Sequence, residues 1–414
     1  MKNIFKKSLA TSLSIVGAMI GVGLASGKEV VSFFARYGFG SLAFCFVSGV
    51  GFFALIYISL KINSNCINTH KNKNRKNEIN NVKYEHTTQI GRKKHVSNNL
   101  YNIILYICQI SICSAMFAGI GSILDTFRIP FILKFLLLIV LYFVSILILN
   151  SGNRVVYSFN ALLSVVLILF VFVILAIGLC FGKVCNVVGC SFSNVLCLKC
   201  FLYAGMNVLT VYPILKDSAN FVENKKEIFL ISLISSILIS VVLFIVCLCV
   251  LLFSGLSIYD DMVMLAISKK FNHVLFVVHF CLICISIFST LLSTAYGASK
   301  CFGKYKFNNM VNLTISFALS FVGFSNLIDF MYPLLGIIFI IYIAFVMIFE
   351  RYKNRKIAMC KPWKNRKNAK KQWKNRTKTV FCEKYLCFCD LLFLFFGFYF
   401  VFFCPLLGWY LYLL

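Results

Sequence analysis

The chain has 414 residues, of which 60% are hydrophobic and only 13% charged; its mean hydropathy is +0.89 and its net charge +28. Soluble domains carry about a quarter charged residues, and disordered or fibrous chains do not hold this much apolar surface, so both classes are excluded. What remains is an all-α polytopic membrane protein, with enough apolar residues for roughly a dozen crossings at about 20 residues each.

In chain order, apolar runs bounded by polar clusters predict eleven crossings, at 9–36, 39–61, 99–124, 131–149, 155–181, 192–215, 228–253, 273–299, 310–326, 330–350 and 385–412. With the N-terminus in the cytoplasm, 33 of the 41 Lys and Arg residues fall in inner loops. That bias predicts a multi-pass protein of the cell membrane with a cytoplasmic N-terminus. It also accounts for most of the +28, so no nucleic-acid partner is expected. The first apolar stretch runs on without a small-residue cleavage site, which argues against a signal peptide.

Residues 63–98 are rich in Asn and Lys and read as a disordered cytoplasmic loop. Residues 351–384 form a basic linker with a repeated Trp-Lys-Asn-Arg, at 363–366 and 373–376. Basic residues interleaved with tryptophan beside a membrane fit contact with the anionic lipid of the inner leaflet.

Most of the nineteen cysteines lie within predicted spans. The pairs Cys197/Cys200 and Cys281/Cys284 have no neighbouring His or acidic ligand and read as small apolar packing. His273 and His279 read as interfacial or packed imidazoles. The acids are dispersed, without a cluster at metal-ligand or acid–base spacing, so neither an enzyme nor a resident cofactor is expected.

The informative segment is Gly17-Ala18-Met19-Ile20-Gly21-Val22-Gly23-Leu24-Ala25-Ser26-Gly27-Lys28-Glu29. Four glycines in eleven residues, each costing about 1 kcal/mol of helix propensity, predict a break in the first span. Inside a bilayer, unwound backbone is tolerated only against protein or a water-filled cavity, where its N–H and C=O groups can hold a ligand. Gly17-x-x-x-Gly21 is also the spacing of a helix-packing motif. Lys28 and Glu29 tip the balance towards a site, because ionisable residues at that depth are rare and usually functional. A second weak point is predicted in the sixth span, at Tyr203-Ala204-Gly205-Met206-Asn207 and Tyr212-Pro213. Interruptions at corresponding places in two oppositely oriented halves point to an inverted-repeat secondary transporter with its site near the midplane.

The same string, followed by Phe33-Phe34-Ala35-Arg36-Tyr37-Gly38, resembles the opening of the YkvI-like membrane proteins, which carry Gln where this chain has Lys28. They are members of the amino acid–polyamine–organocation transporter superfamily with its LeuT-like five-plus-five fold. The likeness returns at Tyr203 to Asn207, at Tyr296-Gly297 and at Tyr332-Pro333-Leu334-Leu335-Gly336. It implies two five-helix inverted repeats, 1–190 and 191–350, with helices 1 and 6 broken. The linker 351–384 and an extra transmembrane helix in 385–414 are additions to that plan.

The resemblance further implies a sodium site at the Gly17 and Ile20 carbonyls with Ser289 and Thr290, or with Ser293 and Thr294. Relatives coupled to protons, or to no ion, leave that coupling open. Ala18, Gly21, Val22, Gly23, Tyr203, Gly205 and Asn207 match the substrate cradle. Lys28 and Glu29 match an outer gate, pairing with each other, with Asp329 or with a substrate amine. The implied function is alternating-access transport of a small amino acid or amine. The alternative is a permease-like ligand-sensing subunit of a membrane receptor complex, of the germinant-receptor type.

Overall fold

The computed structural model describes residues 2–80, 91–151, 153–181, 194–222, 224–253, 255, 260–302 and 308–360. They are helical apart from short connections, and no strand occurs among them. The first apolar run forms three pieces, α1 (Lys2–Met19), α2 (Val22–Ser26) and α3 (Lys28–Phe33). There follow α4 (Ser41–Asn80), α5 (Gly91–Thr126), α6 (Phe131–Ser151), α7 (Asn153–Phe181), α8 (Asn194–Ser218) and α9 (Lys225–Phe253). A short α10 (Val263–Phe271), which the apolar pattern does not foretell, precedes α11 (His273–Phe302) and α12 (Asn308–Leu319). Gly323, at φ 96°, then leads into the three-residue α13 (Phe324–Asn326), a π-helical turn (Leu327–Met331) and α14 (Tyr332–Cys360).

Eight of the described helices are long and apolar enough to cross a membrane: α4 to α9, α11, and the run from Phe324 into α14. The first span falls short of that measure because it is broken, and α12 because it is short. The all-α multi-pass architecture expected from composition is therefore present. The predicted last span at 385–412, and the linker beyond residue 360, lie outside the described residues.

Two units can be distinguished by compactness. One comprises residues 1–192 with 199–343 and holds every contact discussed below. The other comprises 193–198 with 344–414, and its described parts are helical, at the start of α8 and the end of α14. Within the first unit α5 and α8 are each 72% buried across their apolar windows against 11% for α6, so α5 and α8 form the centre and α6 the lipid-facing rim. Phe131, Ile132 and Leu147 of α6 are accordingly exposed, as residues facing acyl chains would be. Counted as spans, α4 packs on α9 (second on seventh), α5 on α11 (third on eighth) and α6 on α12 (fourth on ninth).

The contacts are close because the facing residues are small. A Cβ at Gly51 of α4 would lie 3.1 Å from that of Ala204 in α8, and one at Gly49 would overlap the Ser240 hydroxyl of α9. Several buried hydroxyls bond back to carbonyls of their own helices, as from Ser232 to Ile228 at 2.8 Å, and so are satisfied without water.

Two expectations need correction. The stretch 63–98 is not a loop over its described part: α4 continues to Asn80 and α5 already begins at Gly91. No proline interrupts it, and extending an already nucleated helix adds one hydrogen bond per residue fixed. The sixth span is likewise unbroken, since α8 is one helix with Pro213 inside it. Proline has no N–H, so the carbonyl four residues back, Leu209 O, loses its helical donor. The Gln109 amide of α5 supplies the missing donor at 2.8 Å. Asn207 and Thr210 donate to the Tyr203 and Met206 carbonyls at 3.0 and 3.1 Å, which closes the turn that was expected to open.

Candidate functional site

The break in the first span begins where helical pairing fails. Ile20 N–H still reaches Val16 O at 3.0 Å, but Gly21 N–H turns to Met19 O at 2.8 Å, away from Gly17 O four residues back. The Gly17 carbonyl is thereby released from its helical donor. Gly21 itself is extended, with φ −84° and ψ −169°, and α2 restarts beyond it. A second interruption follows at Gly27, at φ 81°. Position 27 requires glycine twice over, since a Cβ there would lie 2.8 Å from Met264 Cγ and the left-handed backbone disfavours any side chain.

α11 lies against the first break. Ser286 Oγ donates a short hydrogen bond to Ile20 O. Thr290 faces Gly21, with its Oγ1 and Cγ2 each 3.4 Å from where a Cβ would stand, and its buried hydroxyl has no partner among the described residues. Ser289 is fully buried one residue earlier. Of the expected ion ligands, Gly17, Ile20 and Thr290 therefore gather at the break, with Ala18 buried beside them in α1. Ser286 is the ligand-type residue that the sequence reading missed. It precedes Thr290 by one helical turn, and that spacing on the face bearing Thr290 is the signal that finds it. Carbonyl and hydroxyl oxygens are hard donors, suited to a desolvated alkali cation.

Lys28 and Glu29 diverge at the second interruption. The buried Lys28 ammonium pairs with Asp261 Oδ1 at 2.8 Å, so its partner is neither Glu29 nor Asp329. Asp261 also accepts from Ser325 at 2.6 Å and from Ser122 at 3.3 Å. One carboxylate in the α9–α10 connection thus clasps α3, α5 and α13. Burial works against its charge, yet the Lys28 ammonium and the Ser325 and Ser122 hydroxyls outweigh this and hold it below the usual carboxylate range. Asp329 accepts instead from Ser32 at 2.8 Å.

Glu29 turns inward. Its buried carboxyl lies where a side chain at Gly23 would be, beside the Tyr203 hydroxyl and near that of Tyr332. The Tyr203 hydroxyl is buried against that carboxyl. Phe33, Phe34 and Phe52 pack on the Tyr203 ring, with centroids 5.3, 5.2 and 5.9 Å away. No Lys or Arg among the described residues pairs with Glu29.

The expected cradle is thus only partly assembled. Gly21 borders the first break, Gly23 and Tyr203 border Glu29, and Val22 opens α2. Gly205 does not join them: a Cβ there would lie 2.9 Å from Gly336 O and 3.1 Å from Ile340, which makes it a packing glycine between α8 and α14. Asn207 donates to the Tyr203 carbonyl of its own helix at 3.0 Å. A cavity of about 520 Å³ lies nearby, bordered by Ser111 and Ser114 of α5, Asn326, Asp329 and Met331. Among the described residues no three of His, Cys, Asp and Glu converge as metal ligands.

No family model matches the chain. It is similar to the uncharacterized membrane protein YkvI of Bacillus subtilis (strain 168), being 22% identical over 347 residues, which cover 82% of this chain and 95% of the relative. The resemblance seen in the first span is thus borne out along most of the chain. Among solved structures it is similar to the manganese transporter of Eremococcus coleocola, crystallised with an aromatic bis-isothiourea substituted compound. There the identity is 15% and the TM-score 0.39, with 86% of this chain and 73% of that one covered.

Proposed function

We propose that this protein is a secondary transporter that moves a small amino acid or amine across the cell membrane by alternating access. The observation that carries this reading is the doubly interrupted first span, with the Thr290 hydroxyl buried without a partner among the described residues at the first interruption and the Glu29 carboxyl buried without an ion-pair partner among them at the second. Buried polar groups are ordinarily satisfied, and those that are not mark places where a ligand completes the bonding. The pairing of second with seventh, third with eighth and fourth with ninth spans supports a LeuT-like inverted repeat, because a two-fold axis brings such counterparts together.

In this reading the Lys28–Asp261 clasp is the outer gate. It ties the first span to the third and tenth, so opening towards the outside requires it to part. Sodium is the proposed coupling ion, held by Gly17 O and Ile20 O with Thr290, Ser289 and Ser286 around it. Ser286 donates to Ile20 O when the ion is away and turns a lone pair to the ion when it binds. The cargo sits one turn outward, between Gly21, Gly23 and Tyr203.

The test is uptake into proteoliposomes of the twenty standard amino acids and of simple amines, each with and without an inward sodium gradient. Accumulation of one class of compound supports transport, and its dependence on sodium supports the ion site. Ligand binding without accumulation would favour the sensing-subunit alternative.

A further inference from the structure

We propose that Cys45 of α4 and Cys247 of α9 are a modification site, at which hydrogen peroxide joins the two thiols in a disulfide that staples the helices together. The inference goes beyond the transport reading and does not depend on it. Both residues are wholly buried free thiols, carried by different helices. They meet at Ser41, the first residue of α4. Cys45 Sγ donates to the Ser41 carbonyl at 3.6 Å, and Cys247 Sγ lies 3.6 Å from the Ser41 hydroxyl. The two sulfurs are themselves in hydrogen-bonding contact.

A buried cysteine is ordinarily a small apolar packing residue, and other thiols of the chain fit that description. Cys281 and Cys284 share α11, so a bond between them would join no two elements. Cys200 of α8 lies near Cys45, but its thiol donates to the Phe44 carbonyl at 3.4 Å. Cys45 and Cys247 instead meet sulfur to sulfur across two helices. Those helices are already drawn together: one turn along α4, a Cβ at Gly49 would overlap the Ser240 hydroxyl of α9, and the Phe46 and Phe244 rings pack with centroids 5.2 Å apart. Closing the sulfurs from contact to a bond of about 2.05 Å therefore asks for side-chain rotation and little backbone movement. The Ser41 carbonyl loses only the thiol, since it remains the helical acceptor of the Cys45 N–H.

The oxidant fits the site because hydrogen peroxide is uncharged and close to water in size, whereas larger reagents are shut out by the burial. One thiol takes an oxygen atom from the peroxide, giving a sulfenic acid and one water. The second thiol attacks that sulfur. The S–S bond forms as the S–O bond breaks, and the thiol proton leaves with the hydroxide as a second water. Two electrons pass in all from the thiols to the peroxide. With the second thiol already in contact, condensation outruns attack by another peroxide, so the sulfenic acid goes to the disulfide and not to the sulfinic acid. The cross-linked residues stand roughly 200 positions apart, and a bond closing so long a loop restricts the unfolded chain more than a short one does.

The experiment treats the full-length protein in detergent with hydrogen peroxide, blocks the remaining thiols with N-ethylmaleimide, and maps the unreduced peptides by mass spectrometry beside a thermal unfolding scan. The map should contain a peptide pair joining Cys45 to Cys247, and the Tm should rise by about 3–6 °C. Dithiothreitol should reverse both. Cys45→Ser and Cys247→Ser, treated in the same way, should each show neither the pair nor the rise, whereas Cys200→Ala should keep both. A map in which Cys45 is joined to Cys200, or in which Cys45 and Cys247 stay reduced or carry sulfinic acid, overturns the inference. A Cys45–Cys247 link without a rise in Tm overturns it too, since the bond would then staple nothing. Should a serine variant fail to fold, the wild-type map and its reversal by dithiothreitol decide the matter. Neither readout involves uptake, so failure here leaves the transport reading standing.

Discussion

The first and sixth spans carry similar helix-weakening residues, yet one is interrupted twice and the other runs through. In the first, the glycines at 17, 21, 23 and 27 have no side chain to repair a lost backbone bond, and Gly21 and Gly27 occupy extended and left-handed conformations at the two interruptions. In the sixth, Asn207 and Thr210 bond the helix's own carbonyls, and Gln109 from α5 replaces the N–H that Pro213 lacks. A weak helix in a membrane thus opens only where neither its own side chains nor its neighbours supply the missing partners. Where they do, even an interior proline is absorbed.

The sharpest way to break this comparison is to fill the first interruption. Gly21→Leu drives a side chain into Thr290 and Met116, whose atoms already lie 3.4 to 3.6 Å from a bare Cβ. It should abolish ligand-induced stabilisation entirely while the protein still inserts and purifies as a folded monodisperse species. Ligand response retained in that variant would remove the break from the binding site. Next in size, Ser289→Ala with Thr290→Ala should eliminate any sodium dependence of uptake, measured as the ratio of initial rates with and without sodium. An unchanged ratio would move the ion elsewhere.

The sixth span is tested by undoing its repair. Gln109→Leu leaves the buried Leu209 carbonyl without a donor and should cost about 1–3 kcal/mol of stability in denaturant titrations. Pro213→Ala restores a backbone N–H at that carbonyl, so in its presence the Gln109→Leu cost should shrink. Additive costs would mean that Gln109 acts by other contacts.

The smallest effect concerns the clasp between α3 and the α9–α10 connection. Asp261 is about one-third exposed but Lys28 is buried; in Asp261→Asn the amide oxygen can still accept from that ammonium, so the cost should be about 1 kcal/mol. Because the folded carboxyl is held below its usual range, the pair contributes fully above the ordinary aspartate value of about 3.9 and is lost as pH falls through the lowered folded value. The stability difference between wild type and Asp261→Asn should therefore stay constant from pH 8 to about 5 and fade only in stronger acid. A difference that fades near neutral pH would assign the effect to another group.

Much of this protein is set by local composition. The apolar helices of the described residues and the break in the first of them follow from apolar run length and glycine density, both of which act over a few residues. The same reasoning overstated the weakness of the sixth span and the looseness of residues 63–80. What only the tertiary structure decided is which polar groups find partners: Gln109 with Leu209, Ser286 with Ile20, Lys28 with Asp261, each more than 90 residues apart in the chain. Propensity is a property of a segment, whereas satisfaction of a polar atom in a bilayer depends on what the fold brings next to it. That is why Gly205, read as a cradle residue, became a packing contact, while Glu29 stayed without an ion-pair partner among the described residues.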